Sequence, residues 1–195
     1  MFSLFSSHVE LAHHYWERLL QIGDTVIDAT CGNGRDTLEL ARLVLAKDAG
    51  KVIAYDIQKS ALEKSRIFLA GQLDVELLER IRFIEGSHTE LPTRDEIGSV
   101  RLVAYNLGYL PGGDKSVTTL VETTKESIQR AMELVCPGGA ISVVCYPGHA
   151  EGQREEEAIM EMAAKASPDE WHCCFHRRLN GNRVPSLLLM QKRGA

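Results

Sequence analysis

Val26-Ile27-Asp28-Ala29-Thr30-Cys31-Gly32-Asn33-Gly34-Arg35-Asp36-Thr37 is the stretch that decides the fold. It reads as a short apolar strand, a turn with glycines and the start of a helix. An open α/β sheet presents a nucleotide-like ligand to backbone N–H groups in this order. Gly32 and Gly34, beside the small Asn33, let the main chain come close to such a ligand. A second anchor, Lys51-Val52-Ile53-Ala54-Tyr55-Asp56, is another buried-strand pattern ending in an acid. In a βαβ unit that acid falls about 20 residues past the glycine turn, beside the first strand, where a carboxylate accepts both hydroxyls of a ribose.

Outward from this stretch, strands and helices alternate. Val9, Leu11, Ala12, Tyr15, Trp16, Leu19 and Leu20 recur at helical spacing, with Ser6 or Ser7 as N-cap, and predict an amphipathic helix over the first strand. His13 and His14 read as polar or half-buried helix positions, with His13 open to the ligand cleft. Helices are expected over Thr37–Lys47 and Lys59–Leu73, with a shorter piece from Val75 to Arg80 before a strand at Ile81–Gly86. Ser87 and His88 follow that strand, where they either touch a base ring or form a capped turn. A fourth strand, Val100–Asn106, exits through Leu107-Gly108-Tyr109-Leu110-Pro111-Gly112-Gly113-Asp114-Lys115, too stiff at one point and too permissive at the next to be plain punctuation. A helix from Val117, capped by Ser116, to Cys136 ends at Pro137-Gly138-Gly139, and a fifth strand spans Ala140–Tyr146. Glu155, Glu156 and Glu157 read as an acidic first helical turn matched to the helix dipole. Trp171–Leu179 and Ser186–Lys192 flank Asn180-Gly181-Asn182-Arg183, a hairpin turn.

The expected fold is therefore α/β and Rossmann-like, a seven-stranded, mostly parallel sheet with a C-terminal antiparallel hairpin and helices on both faces. With 195 residues, 44% of them hydrophobic, the chain suits one domain over 1–195. Its net charge of −5 argues against holding nucleic acid by a general basic surface. No apolar run is long enough to span a bilayer, and Met1–His8 lacks the features of a secretion signal. Cys31, Cys136, Cys145, Cys173 and Cys174 form an odd set without C-x-x-C spacing, which fits reduced thiols and a cytoplasmic location. His172, Cys173, Cys174 and His176 alternate across a strand and cannot converge on one ion, so no metal is expected.

Dinucleotide dehydrogenases want three spaced glycines, whereas Thr30 fills the first slot here. Asp28-Ala29-Thr30-Cys31-Gly32-Asn33-Gly34 instead resembles the first motif of class I S-adenosylmethionine methyltransferases, with Asp56 as the ribose acid. Asn106-Leu107-Gly108-Tyr109 resembles the Asn/Asp-Pro-Pro-Tyr signature of nitrogen methyltransferases. An amine must aim its lone pair at the methyl group, so an Asn oxygen and a backbone carbonyl hold its N–H groups while an aromatic face packs on the attached ring. The amine must also be uncharged.

These motifs, with Asp56-Ile57-Gln58, Ser87-His88, the loop through Lys115, Gly148-His149-x-x-Gly152-x-x-Glu155 and Asn180-x-x-x-x-Pro185, together resemble the MnmM (YtqB-like) family. Members methylate the aminomethyl nitrogen on the wobble uridine of certain tRNAs. Gly181 and Val184 depart from the family pattern of Gln and a second Pro. The resemblance implies S-adenosyl-L-methionine as cofactor, lined by Asp28, Gly32, Asn33, Asp36, Thr37, Asp56, Gln58, Ser87, His88 and Asn106. It implies that Asn106, Gly108 and Tyr109 present the amine, with Asp114, Lys115 and His149 around the substrate and either Asp114 or His149 taking its proton. The tRNA would be held at its anticodon region by Arg177, Arg178, Arg183, Lys192 and Arg193, which otherwise read as ordinary charge on an edge hairpin. A homodimer is left open. The alternatives are an rRNA, protein or small-molecule N-methyltransferase, a nicotinamide-linked oxidoreductase and a non-catalytic nucleotide-binding module.

Overall fold

The computed structural model describes residues 7–109 and 118–194. Its elements, in chain order, are α1 (His8–Leu19), β1 (Thr25–Asp28), α2 (Arg35–Val44), β2 (Lys51–Asp56), α3 (Lys59–Ala70), α4 (Val75–Leu78), β3 (Ile81–Glu85), α5 (Arg94–Ile97), β4 (Val100–Asn106), α6 (Val121–Leu134), β5 (Val135–Cys145), α7 (Ala150–Lys165), β6 (Trp171–Arg177) and β7 (Ser186–Lys192). The seven strands form one sheet in the order β3-β2-β1-β4-β5-β7-β6. β1 through β5 pair in parallel, and β7 runs antiparallel to both β5 and β6.

Successive side chains on a strand point to opposite faces, so each buried strand feeds two cores. Val26, Val52, Leu102, Val144 and Leu187 meet α1, α2 and α3 through Ala12, Trp16, Leu40, Ala41 and Leu69. Ile27, Ile53, Val103, Val143 and Leu188 meet α6 and α7 through Ile128, Ala131 and Ile159. Truncating a fully buried Ile27 or Ile128 to Ala would cost about 2–5 kcal/mol, a large part of a domain's stability. These two cores hold the strand ends rigidly at one edge of the sheet. The strand order reverses at β1, between β2 and β4, where open α/β sheets bind their ligands beyond the carboxyl ends.

The register places the anchors of that crevice. Asp28 is paired with Ala54 on β2 and with Ala104 on β4. Asp56 and Asn106 therefore each lie two residues further along, on opposite flanks of β1 and at the same edge. Two strand spacings separate them by roughly 10 Å.

Several boundaries differ from expectation. α1 is capped by Ser7 in a reciprocal box with Glu10, but packs on β5, β7 and α2 rather than over β1. α6 starts at Val121, and β5 begins at Val135, before the Pro-Gly-Gly that reads as a stop. The extra residues are absorbed by a register shift against β4 between Val100 and Leu102. The β6–β7 connection is a loop from 178 to 185 rather than a tight Asn-Gly turn, and its left-handed residue is Arg183 at φ 53°.

Candidate active site at the carboxyl edge of the sheet

Asp28 ends β1 buried, its carboxylate accepting from Thr37 Oγ1 at 2.6 Å and from the Thr30 N–H at 3.1 Å. These bonds fold the glycine turn back onto the first turn of α2. Burial pushes the Asp28 carboxyl up to about 7, and the charges of Asp36 and Asp56 add to this while the Thr37 and Thr30 donors oppose it. Gly34 caps α2 at φ 77°, and a Cβ there would meet Ser65 Cβ and Oγ at 3.0 Å. Ser65 in turn donates to the Gly32 carbonyl at 2.7 Å. Cys31 is buried beside this turn with its thiol pushed up to about 12 by burial, which leaves it unreactive.

Asp56 Oδ2 accepts from the Gly32 N–H and Oδ1 from the Gln58 N–H, each at 2.8 Å. Burial raises its pKa against those two donors. One acceptor direction on each oxygen is then used, and the other remains for hydroxyl donors.

Across β1, Asn106 is held from three sides. Its N–H donates to Thr30 Oγ1 at 2.7 Å, its Nδ2 donates to Asp36 Oδ2 at 3.0 Å, and its side chain also meets the Tyr146 phenol. Asp36 Oδ1 accepts from His13 Nε2 at 2.7 Å. Burial works against a charged His13 ring, but the bond and charge of Asp36 outweigh it and raise the pKa. Because Asp36 takes the amide N–H, Asn106 Oδ1 is left as the acceptor end of the side chain. Tyr146 lies two residues beyond Val144, the partner of Asn106, so adjacent parallel strands bring their exits together. Burial and the charge of Asp36 raise the Tyr146 pKa, keeping the phenol protonated.

The segment after Asn106 is also fixed. The Gly108 N–H donates to Thr119 Oγ1 at 2.9 Å, the Thr119 N–H donates to the Gly108 carbonyl at 3.3 Å, and Tyr109 bridges to Thr118. Gly108 has φ 116°, and its Cα faces Tyr146, whose Cβ would lie 3.9 Å from any added side chain. The Tyr109 ring is 6.1 Å from the His149 ring. His149 is the N-cap of α7, with Nδ1 accepting from the Gly152 N–H at 3.1 Å. A neutral ring in that role carries its proton on Nε2, which is buried and meets no hydrogen-bond partner among the described residues. Asp114 and Lys115 lie outside the described residues, as do Ser6 and Ser116.

Ser87 caps the short 3-10 turn His88–Glu90, accepting from the Thr89 N–H at 3.1 Å. His88 is buried with its ring edge-on to Tyr105 at 6.1 Å, its carbonyl accepts from Ser127, and burial lowers its pKa. The capped-turn reading thus describes the pair's local structure.

Two expectations about charge are corrected. Glu155 and Glu156 do not form the first turn of their helix; both are buried in the second turn of α7, where hydroxyl groups from distant segments satisfy them. Glu155 accepts from Thr119 and Thr124, and Glu156 accepts from Ser186 with Arg177 at 3.7 Å. Nor do the five hairpin cations, read together as a hold on tRNA, lie side by side. Arg177, Arg178 and Arg183 line a cleft of about 620 Å³ against α7, together with Pro147, Met160 and Leu179. Lys192 and Arg193 sit at the opposite end, where Lys192 pairs with Glu170 and covers Trp171, and Arg193 donates to the Asp169 carbonyl. Strand pairing makes this unavoidable, since Lys192 lies opposite Trp171 and Ser186 opposite Arg177. Among the described residues no cluster of three or more His, Cys, Asp or Glu could hold a metal ion, and no helix is long and apolar enough to cross a membrane.

Residues 52–192 match the family profile described as "Putative rRNA methylase". The chain belongs to this family. A relative, the tRNA (mnm(5)s(2)U34)-methyltransferase, chloroplastic, of Arabidopsis thaliana, is 40% identical over 188 residues, covering 94% of this chain and 69% of that protein. A solved structure from Clostridium thermocellum, described as a "putative rRNA-methylase", is 34% identical with a TM-score of 0.88, covering 96% of this chain and 98% of its own. The Streptococcus mutans protein SMU.1697c, described as "a putative methyltransferase" in complex with SAH, is 28% identical with a TM-score of 0.81, covering 96% of this chain and 99% of its own. The family's sheet and terminal hairpin are the ones described above, and the chain has the Rossmann-like class I methyltransferase fold.

Proposed function

We propose that this chain transfers a methyl group from S-adenosyl-L-methionine to the aminomethyl nitrogen of 5-aminomethyl-(2-thio)uridine at the tRNA wobble position, giving the 5-methylaminomethyl form. The observation that carries the reading is the bond from Asn106 to Asp36, which leaves an amide oxygen as acceptor at the edge of the sheet that also bears Asp56.

The donor set fits the cofactor. Asp56 keeps one acceptor direction on each oxygen for ribose hydroxyls, and Asp36 and Asp56 gather negative charge suited to a ligand carrying a sulfonium and an ammonium group. When bound, S-adenosylmethionine supplies an electrophilic methyl group. Gly32, Asn33, Thr37, Gln58, Ser87 and His88 would complete that pocket, with Asp28 and Thr37 bracing its turn from within.

For the substrate, Asn106 Oδ1 would accept one amine N–H and so orient the nitrogen lone pair, a contribution from positioning rather than acid–base strength. Tyr109 would pack against the uracil ring, with the His149 ring 6.1 Å from its own. With His149 Nδ1 engaged by the Gly152 N–H, Asp114 is the group we assign to the ammonium proton. Arg177, Arg178 and Arg183, which line the cleft beside α7, would meet phosphates of the anticodon region, and Lys115 would add a further cation toward the substrate. The reading treats residues 1–195 as one catalytic domain.

The test is incubation with labelled methyl donor and tRNA lacking the final methyl group, followed by nucleoside mass spectrometry. Labelled 5-methylaminomethyl-uridine that disappears with Asn106→Ala is expected. No incorporation into that tRNA, with incorporation into rRNA or a small amine instead, overturns the substrate. A rise in melting temperature with NAD but not with S-adenosylmethionine overturns the reaction class.

A further inference from the structure

We infer that Glu155 and Thr119 are positioning residues that set the plane of the Leu107–Gly108 peptide and so aim the Leu107 carbonyl as the second acceptor for the substrate amine. This rests on the amine-methylation reading above.

A primary amine that offers its lone pair in one direction has N–H groups to hold in two others, and Asn106 Oδ1 accounts for one. The adjacent acceptor in the chain is the Leu107 carbonyl. In a trans peptide the C=O and the following N–H point in opposite directions within one plane, so holding the N–H fixes where the oxygen aims. The Gly108 N–H is held by Thr119 Oγ1 at 2.9 Å. Thr119 Oγ1 in turn donates to Glu155 Oε2 at 2.9 Å, which orients its lone pair toward Gly108. Thr124 donates to the other Glu155 oxygen, so the carboxylate is locked from both sides. Glu155 is 2% exposed on α7, which packs against α6 and β5.

A buried carboxylate whose donors among the described residues are two hydroxyl groups is an expensive way to hold a turn. Glycine at 108 suits the role, since its φ of 116° is a conformation that side chains rarely adopt and one in which the peptide would otherwise rotate freely. The Pro-Pro of related nitrogen methyltransferases stiffens this corner covalently. Here Leu-Gly lacks that stiffness, and the Thr119–Glu155 pair supplies it by hydrogen bonding.

The experiment compares wild type with Thr119→Val, Thr119→Ser and Glu155→Gln in the full chain. Protection of the Gly108 amide is read by hydrogen exchange on ¹⁵N-labelled protein, S-adenosylhomocysteine affinity by calorimetry, and kcat and KM on aminomethylated tRNA. Expected for Thr119→Val and Glu155→Gln are faster Gly108 exchange and a kcat lowered at least tenfold, with cofactor affinity and KM within about threefold of wild type; Thr119→Ser restores both signals. Unchanged Gly108 exchange in Thr119→Val, or a fall in cofactor affinity as large as that in kcat, overturns the inference. A wild-type protein inert on aminomethylated tRNA overturns the substrate reading and with it the role of the Leu107 carbonyl, whereas faster Gly108 exchange in Thr119→Val would still support the peptide anchor itself.

Discussion

Asn106 donates its side-chain N–H to Asp36 Oδ2 at 3.0 Å, although the two residues stand 70 positions apart in the chain. Asp36 takes His13 on its other oxygen, so His13 and Asp36 act on Asn106 as one unit. The acidic partner decides which end of the amide faces the substrate. Asp36→Asn can present an N–H where the carboxylate accepted one, which permits the amide of Asn106 to flip. We expect Asn106→Ala to lower kcat on aminomethylated tRNA about 10²–10³-fold, as loss of a preorganised polar group does, and Asp36→Asn to approach that value. His13→Gln, which keeps a donor, is expected to lose less than Asp36→Asn. Equal activity of Asp36→Asn and wild type in single-turnover assays would refute the orienting role.

Asp56 is the cofactor prediction. Removing its carboxylate takes away acceptors for two hydroxyl groups and also releases the Gly32 and Gln58 N–H groups it now holds. Hydrogen bonds to a charged group contribute about 1.5–3 kcal/mol each, so Asp56→Ala is expected to weaken S-adenosylhomocysteine binding at least tenfold by calorimetry. A change below threefold, with the fold intact by circular dichroism, would move the ribose elsewhere.

The split of the hairpin cations bears on tRNA binding. Arg178 and Arg183 line the cleft beside α7, whereas Lys192 is committed to Glu170 and Trp171. Replacing Arg178 or Arg183 by Gln is expected to weaken tRNA binding and reduce the slope of log K against log salt by about 1 each, with Lys192→Gln leaving that slope unchanged. Filter binding over a salt series measures this directly. A larger effect at Lys192 would put the RNA at the other end of the hairpin.

The order of elements and the two strand ends that flank β1 are readable from the chain, because buried strands and glycine turns are local patterns and parallel register carries equal positions to one edge. Asp56 and Asn106 are the ends of two such strands and lie at the same edge. Glu155 and Glu156 are not readable in this way, because three adjacent acids look solvated until Thr119, Thr124 and Ser186 are brought to them by tertiary packing. Pro137-Gly138-Gly139 hides the start of β5, since residues that stop a helix are also those found where a strand is bulged. Tyr146 had a usable signal: it leaves β5 next to the position where Asn106 leaves β4.

Asp28 ties folding to pH. Its carboxyl titrates near 3.8 when free and is pushed up to about 7 by burial, with Asp36 and Asp56 adding to the shift. Between those values the folded chain binds a proton that the unfolded chain has released. The stability contributed by that proton is fully present below about 4, declines as pH rises and is gone above about 7, at most about 4 kcal/mol. His13 works in the same direction, since a raised pKa gives stability that is present below 6.5 and lost as pH climbs through the folded value. Asp56 and Glu155, also raised, steepen the acid side. Urea unfolding from pH 5 to 8.5 should therefore show falling midpoints in wild type. Asp28→Asn, which has no proton to titrate at this position, should lose much of the pH slope. His13→Gln should retain most of it. If Asp28→Asn keeps the wild-type slope, the buried carboxylate stays ionised throughout, and its bonds to Thr37 and Thr30 outweigh the cost of burying the charge.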